Sequence, residues 1–334
     1  MYAEAPDVPA GRILNLPITR LNALRRAVFK EILQATERHK HVVVNTHATF
    51  RWKHGLFAAF DFDQIKAFKA DLYVTLLDNV DAVHQRLLRD HDIDHTLKDI
   101  MVWREEELLA TEILENVLKG HGHFFMTGRG RHAFTTQTIY RLMFEPKRKK
   151  TYLSFPMSHV MDLPAILAEI ERFKQSMTEH FTCFDPAEVD EFSIHSAALQ
   201  AMQEGRTTIQ VTSPEGPLTL KTADVAQISG DILGQIYARD FKMIDQSDMI
   251  VSLIPELPGG KPALSSGVER ELHHAFEGGK EVYVVWHCAA TPSPFVSETA
   301  TKVFRSTEEA IEYFQAKGLI PAERVALAGG LFPT

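Results

Sequence analysis

The stretch MIVSLIPELPGGKPALSSGVERELHHAFEGGKEVYVVW, residues 249–286, decides the fold. MIVSLIP (249–255) is an apolar run without alternation, the pattern of a strand buried on both faces of a parallel sheet. GVERELHHAFEGG (267–279) reads as a helix stopped by Gly278 and Gly279. EVYVVW (281–286) is a second buried strand. Strand, helix, strand in that order argues for an α/β layer architecture.

Working outward, the same rhythm continues. TYLSFP (151–156) and FTCFDP (181–186) read as strands on either side of the amphipathic helix LPAILAEIERFKQSMTEH (163–180). Residues 187–204 and 222–247 read as helical, with an inserted hairpin in TTIQVTSPEGPLTLK (207–221) and a closing helix in STEEAIEYFQAKG (306–318). The expected result is a flavodoxin- or Rossmann-like parallel sheet with helices on both faces, which binds ligands beyond the carboxyl ends of its strands.

The first half repeats the theme less regularly. After about fifteen irregular residues, 19–39 form a helix. In HVVVNTHATF (41–50), Val42, Val43 and Val44 suggest a buried strand. Helices are expected over 62–70, 79–91 and 100–120, the last ending at Gly120, and strands over 70–78 and 121–128. The basic run Lys147, Arg148, Lys149, Lys150 reads as a solvated linker, which puts two α/β domains at 1–148 and 149–334.

A net charge of −8 disfavours a nucleic-acid polymer or an anionic membrane as partner. No apolar run approaches the roughly 20 residues of a membrane span. The N-terminus lacks the order of a signal peptide, and two cysteines, Cys183 and Cys288, do not make a disulfide framework. These features fit a cytoplasmic protein.

Four segments fall at strand ends or at the helix starts that follow: Tyr152 with SFPMS (154–158), Asp185, YARDF (237–241) with DQSD (245–248), and SSGVEREL (265–272). Glu271 lies one helical turn after Gly267, near a helix N-terminus whose free N–H groups favour anions.

SSGVERELHHA (265–275) resembles the nucleophile segment of nucleoside 2-deoxyribosyltransferases and nucleoside-5′-monophosphate N-glycosidases, through Gly267, Glu271, Leu272 and Ala275. IYARDFKMIDQSDMIVSLI (236–254), with Asp240 and Asp248, is similar to a second segment of that family, and TYLSFPMS and FDP (184–186) are similar to its first two strands. The likeness runs over about 150–318 in the family's order. It implies an enzyme that attacks an N-glycosidic bond, with Glu271 as nucleophile and Asp240 as supporting carboxylate on sugar or leaving group. Tyr152 would shape the base pocket or position Glu271. Ser154, Pro156, Ser158, Asp185 and Gly267 would surround a nucleoside or nucleotide. Ser265 and Ser266 would either donate to a 5′-phosphate or cap the helix. His273 stands where the family has Gly, and would contact base or phosphate or lie on an outer helix face. Asp248 is expected to be structural and buried. The resemblance implies no cofactor and no metal, and at least a dimer. Alternatives are an NAD-cleaving glycohydrolase and a non-catalytic nucleotide sensor.

VVVNTHATFRWKHGL (42–56), ADLYVTLLDNVDAVHQRLLRD (70–90), WREEELLATEI (103–113) and HFFMTGRG (123–130) resemble segments of the archaeal-type adenylate kinases. The G-x-x-x-x-G-K-[ST] loop that holds phosphates in such kinases does not occur in the chain. The likeness therefore implies either a degenerate kinase-like domain that senses or binds nucleotide or a kinase-like domain whose front is omitted, in both cases without kinase activity. Arg51, Arg86, Arg89 and Arg104 would contact phosphate or pair with carboxylates. HDIDH (91–95) has metal-like spacing but reads better as polar helix-end residues.

Overall fold

A computed structural model describes residues 1–52, 55–91, 95–130, 134–157, 160–213 and 216–320. In chain order the elements begin α1 (Ile18–Arg38), β1 (Thr49–Trp52), β2 (Gly55–Ala58), α2 (Phe62–Phe68), β3 (Tyr73–Leu77), α3 (Val80–His91), α4 (Leu97–Leu118) and β4 (Phe124–Gly128). Then come α5 (Phe134–Phe144), β5 (Lys150–Ser154), α6 (Pro164–His180), β6 (Thr182–Phe184), α7 (Phe192–Gln203), β7 (Thr208–Ser213), β8 (Gly216–Lys221) and α8 (Thr222–Gln227). The last are α9 (Ser229–Asp245), β9 (Met249–Leu257), β10 (Lys261–Pro262), α10 (Ser266–Glu277), β11 (Glu281–His287), α11 (Pro294–Ser297), β12 (Lys302–Phe304) and α12 (Thr307–Ala316). Two compact units result: Met1–Arg131 with Val189–Gln235, and His132–Glu188 with Ile236–Thr334.

The first unit has no extended sheet among its described residues. β3 and β4 form a two-stranded parallel ladder, and β1–β2 and β7–β8 are antiparallel hairpins. Leu21 of α1 packs on Phe50 and Ala59. α4 starts on a capping box in which Thr96 and Asp99 satisfy each other's backbone N–H. Residues 189–235 are tied in by charge. Arg104 donates to both carboxylate oxygens of the fully buried Glu191 at 2.6 and 2.9 Å and to Gln235 at 2.5 Å. Glu191 also accepts from the Val80 N–H at 2.9 Å, and Lys98 pairs with Asp231 at 2.6 Å.

The second unit is a mixed α/β layer built on a parallel sheet of order β12-β11-β9-β5-β6, with the short β10 antiparallel on β9. Numbered along this unit, the parallel strands run 2-1-3-4-5. Leu153, Met249, Val251, Leu253, Tyr283 and Val285 face one way and form a core with Ile166, Ile170, Phe173 and Met177 of α6 and Ala310 and Phe314 of α12. The pleat turns alternate residues to the opposite face, where α10 packs on β9 and β11.

Two expectations from the sequence are corrected. Residues 41–47 form no strand, and Val43 is 69% exposed. An apolar run becomes a buried strand only where a neighbour supplies hydrogen bonds, and the β3–β4 ladder has no third strand among the described residues. The basic run 147–150 is not a solvated linker. Lys150 opens β5, while Arg148 bonds Glu145 at 2.6 Å and the His180 carbonyl at 2.5 Å. The preceding α5 belongs to the same unit. Thr138 donates to the Cys183 carbonyl at 3.1 Å, and Arg141 donates to the carbonyls of Thr178 and Phe181. The compact units are thus discontinuous in sequence, a different partition from a single division at 148/149. Among the described residues no helix is long and apolar enough to cross a membrane.

Candidate active site

The pleat of β5 sends Tyr152 and Ser154, two residues apart, to the same face of the sheet. Both are fully buried and both donate to one carboxyl group. The Tyr152 hydroxyl reaches Glu271 Oε1 at 2.9 Å, and Ser154 Oγ reaches Oε2 at 2.6 Å. Ser252, the register partner of Ser154 on β9, donates to Ser154 Oγ at 3.3 Å. Glu271 is carried by α10, whose first turn is capped by Ser265 Oγ accepting from the Val268 N–H at 3.2 Å.

α9 brings two more charged groups. Asp240 is 8% exposed and Arg239 6%. Arg239 Nε lies 3.7 Å from Asp240 Oδ1, too far for a good hydrogen bond. Among the described residues, Asp240 Oδ1 and the Nε and Nη1 groups of Arg239 have no hydrogen-bond partner. Unpaired polar atoms at this depth are costly.

The electrostatics bind the group together. Burial first, and the negative charge of Asp240 second, raise the Glu271 pKa to about 8 against the opposing hydrogen bonds of the Ser154 and Tyr152 hydroxyls. Burial likewise lifts Asp240 to about 6, against the pull of the Arg239 guanidinium. Burial and the two carboxylates hold Tyr152 well above the usual phenol value, so it stays a donor. Two carboxyl groups that repel each other titrate as a pair, and near neutrality they hold one proton between them.

The helices carrying the two acids are joined at their outer ends. Phe241 of α9 stacks on His274 of α10, with centroids 4.2 Å apart and planes at 8°. His274 Nε2 lies 2.7 Å from Asp245 Oδ1. Lys280 donates to the Asp245 and Ser247 carbonyls at 2.8 and 2.6 Å, closing the C-terminal end of α9.

The other expected site residues are placed as follows. Pro156 is buried just beyond β5. Ser158 lies outside the described residues. Asp185 is engaged elsewhere: it pairs with the buried Lys174 at 2.7 Å and accepts from the Ala187 N–H at 2.8 Å. Ser265 acts as the helix cap, and Ser266 and Gly267 are exposed in the first turn of α10. His273 faces solvent and meets Glu277 at 3.2 Å, the outer-face arrangement. Asp248 is structural, since it accepts from the Lys150 N–H at 2.8 Å, but it is exposed rather than buried. It sits at the surface turn just before β9, where its carboxylate stays hydrated. Arg51, Arg86, Arg89 and Arg104 all pair with carboxylates. Within HDIDH, residues 92–94 lie outside the described residues, and no metal-binding group of three or more His, Cys, Asp or Glu occurs among the described ones.

The sequence reading passed over Arg239, although a signal was present. Ile232, Ile236, Arg239 and Met243 follow a spacing of four, three and four, so Arg239 stands on the inward stripe of α9. A charge on such a stripe is buried. No protein-family model matches this chain, and no curated protein matches it.

Proposed function

We propose that the second unit cleaves or transfers the N-glycosidic bond of a nucleoside or nucleotide through a covalent glycosyl-Glu271 intermediate. One observation carries this reading: a buried Tyr and a buried Ser each hold one oxygen of Glu271, with a second buried carboxyl group, Asp240, in electrostatic contact. Further support is the strand order 2-1-3-4-5, which is that of flavodoxin-like sheets. In those folds the ligand crevice opens where the order reverses, here between β5 and β9, the strands beneath Tyr152, Ser154 and Ser252. The resemblance of 265–275 to a deoxyribosyltransferase nucleophile segment agrees with this geometry.

In this mechanism the Glu271 carboxylate attacks C1′ while the C1′–N bond breaks and its electron pair leaves with the base. The pair's one proton rests mainly on Glu271, the more raised of the two acids. Reaction proceeds from the minor form in which it has passed to Asp240, which then delivers it to the departing nitrogen base. Tyr152 and Ser154 fix the attacking oxygens and keep them from drifting toward solvent. Asp240 then takes a proton from water, or from a second base, as that acceptor attacks C1′ and frees Glu271.

The test is chromatography of free base after incubation with a panel of ribo- and deoxynucleosides, their 5′-monophosphates and NAD, for wild type, Glu271→Gln and Asp240→Asn. Base release by wild type and its loss in Glu271→Gln, with a sugar-sized mass increment on the Glu271 peptide of wild type, supports the reading. Equal release by all three proteins defeats it. Nicotinamide as the sole product assigns the bond to NAD instead.

A further inference from the structure

The first unit holds a separate cavity of about 270 Å³ beside α1, lined by Asn22, Arg25, Arg26, Phe57, Phe60 and Asp61 among others. Arg25 gives it chemical character. Its guanidinium carbon sits 3.4 Å from the Phe50 ring centroid, and Phe50 stacks in turn on Phe57, with centroids 5.6 Å apart. Nη1 of Arg25 is buried, and among the described residues it has no hydrogen-bond partner and Arg25 no ion pair. Burial is the single cause that lowers its pKa, to about 10, so no neighbouring carboxylate offsets the charge. Arg25 is half-buried, and a partly desolvated cation without a counter-charge carries a cost. The carboxylate in the lining, Asp61, is already committed: it caps α2 by accepting from the N–H groups of Asp63 and Gln64 at 3.1 and 3.4 Å. α2 is held to α1 by Gln64, whose Nε2 donates to the Arg26 carbonyl at 3.0 Å.

The cavity thus combines two guanidinium groups with an aromatic wall and the amide of Asn22. We propose that it binds a small aromatic anion, with the acid group against Arg25 and Arg26 and the ring against Phe57 and Phe60. The volume suits one ring with its acid group rather than a larger ligand, being near the lower end for small-molecule sites. Stacking on the Phe50–Phe57 ladder favours a flat ligand, and the unpaired Nη1 requires an acceptor.

Isothermal calorimetry on the full chain tests this, with phenyl phosphate as probe and benzoate, inorganic phosphate and phenol as comparisons. Wild type should bind phenyl phosphate saturably with one site, and phenol and inorganic phosphate at least tenfold more weakly. Benzoate against phenyl phosphate decides between a carboxylate and a phosphate ligand. Arg25→Gln should lose at least tenfold in affinity and Arg25→Lys less. Glu271→Gln should bind as wild type, which separates this cavity from the site in the second unit. Without ligand, Arg25→Gln and Arg25→Met should melt no lower than wild type, because an uncompensated charge has been removed. No saturable heat, unchanged affinity in Arg25→Gln, or melting several degrees lower in both neutral variants overturns the proposal, the last by making the stacked guanidinium a packing element.

Discussion

At the scale of single residues, the proton shared by Asp240 and Glu271 sets when the site can work. The mechanism uses the minor form of the singly protonated pair, with the proton on Asp240 and Glu271 ionised. The pair holds one proton only between about pH 6 and about 8, resting mainly on Glu271. A bell-shaped kcat/KM with limbs near those values is the expected outcome, measured as base release against pH. Asp240→Asn leaves Glu271 as the one titrating acid of the pair, so Glu271 should ionise below about 8 and the alkaline fall should vanish, leaving a single rising limb. Stability has its own pH dependence. Both acids are raised in the fold, so the native state binds more protons than the unfolded chain from about pH 4 to about pH 8, and stability falls as pH rises through that window. Glu271→Gln lacks the Glu271 share of this loss. Its melting temperature should match or trail wild type at pH 4 and exceed it at pH 9, while base release falls by about a thousandfold or more. Thermal melts at the two pH values check the sign. Glu271 stood out in the sequence because a helix N-terminus followed a Gly-rich loop. Arg239 looked like any surface arginine until its place on the α9 stripe was counted.

At the scale of elements, the position of Asp240 relative to Glu271 is fixed by the join between α9 and α10 rather than by the pocket alone. Lys280→Met removes two bonds, to the Asp245 carbonyl that ends α9 and to the Ser247 carbonyl just beyond it. It should cost about 1 kcal/mol of stability, read from denaturant midpoints, and lower kcat/KM with little change in the pH limbs. The elements themselves were unevenly legible. β5, β9 and β11 are short apolar runs between amphipathic helices, and each lies in the ladder where its pattern put it. Val42–Val44 have the same composition and no ladder, because strand stability lies in the pairing and not in the run. The basic residues 147–150 read as solvated by charge alone, yet Arg148 is drawn inward by the Glu145 carboxylate and the His180 carbonyl.

At the scale of the whole molecule, the decisive bonds join distant parts of the chain. Arg104 and Glu191 are 87 residues apart, and no local pattern marks them as partners. Arg104→Met leaves the fully buried Glu191 without its counter-ion and should destabilise the first unit by about 3 kcal/mol or more, seen as a lower denaturant midpoint. A fragment beginning at residue 149 would lack α5, whose Thr138 and Arg141 satisfy carbonyls at 178, 181 and 183, and would strand 189–235 without the groups that hold it. It is expected to be protease-sensitive where the full chain resists. The excursion of 189–235 out of the second unit also bears on how the protein is made. β5 pairs with β9, and Ser154 meets Ser252 across 98 positions. At ordinary elongation rates the nascent β5 is synthesised about 5 to 20 s before its central partner. During that interval an apolar strand waits with one flank unpaired, an aggregation-prone edge that the finished fold does not display.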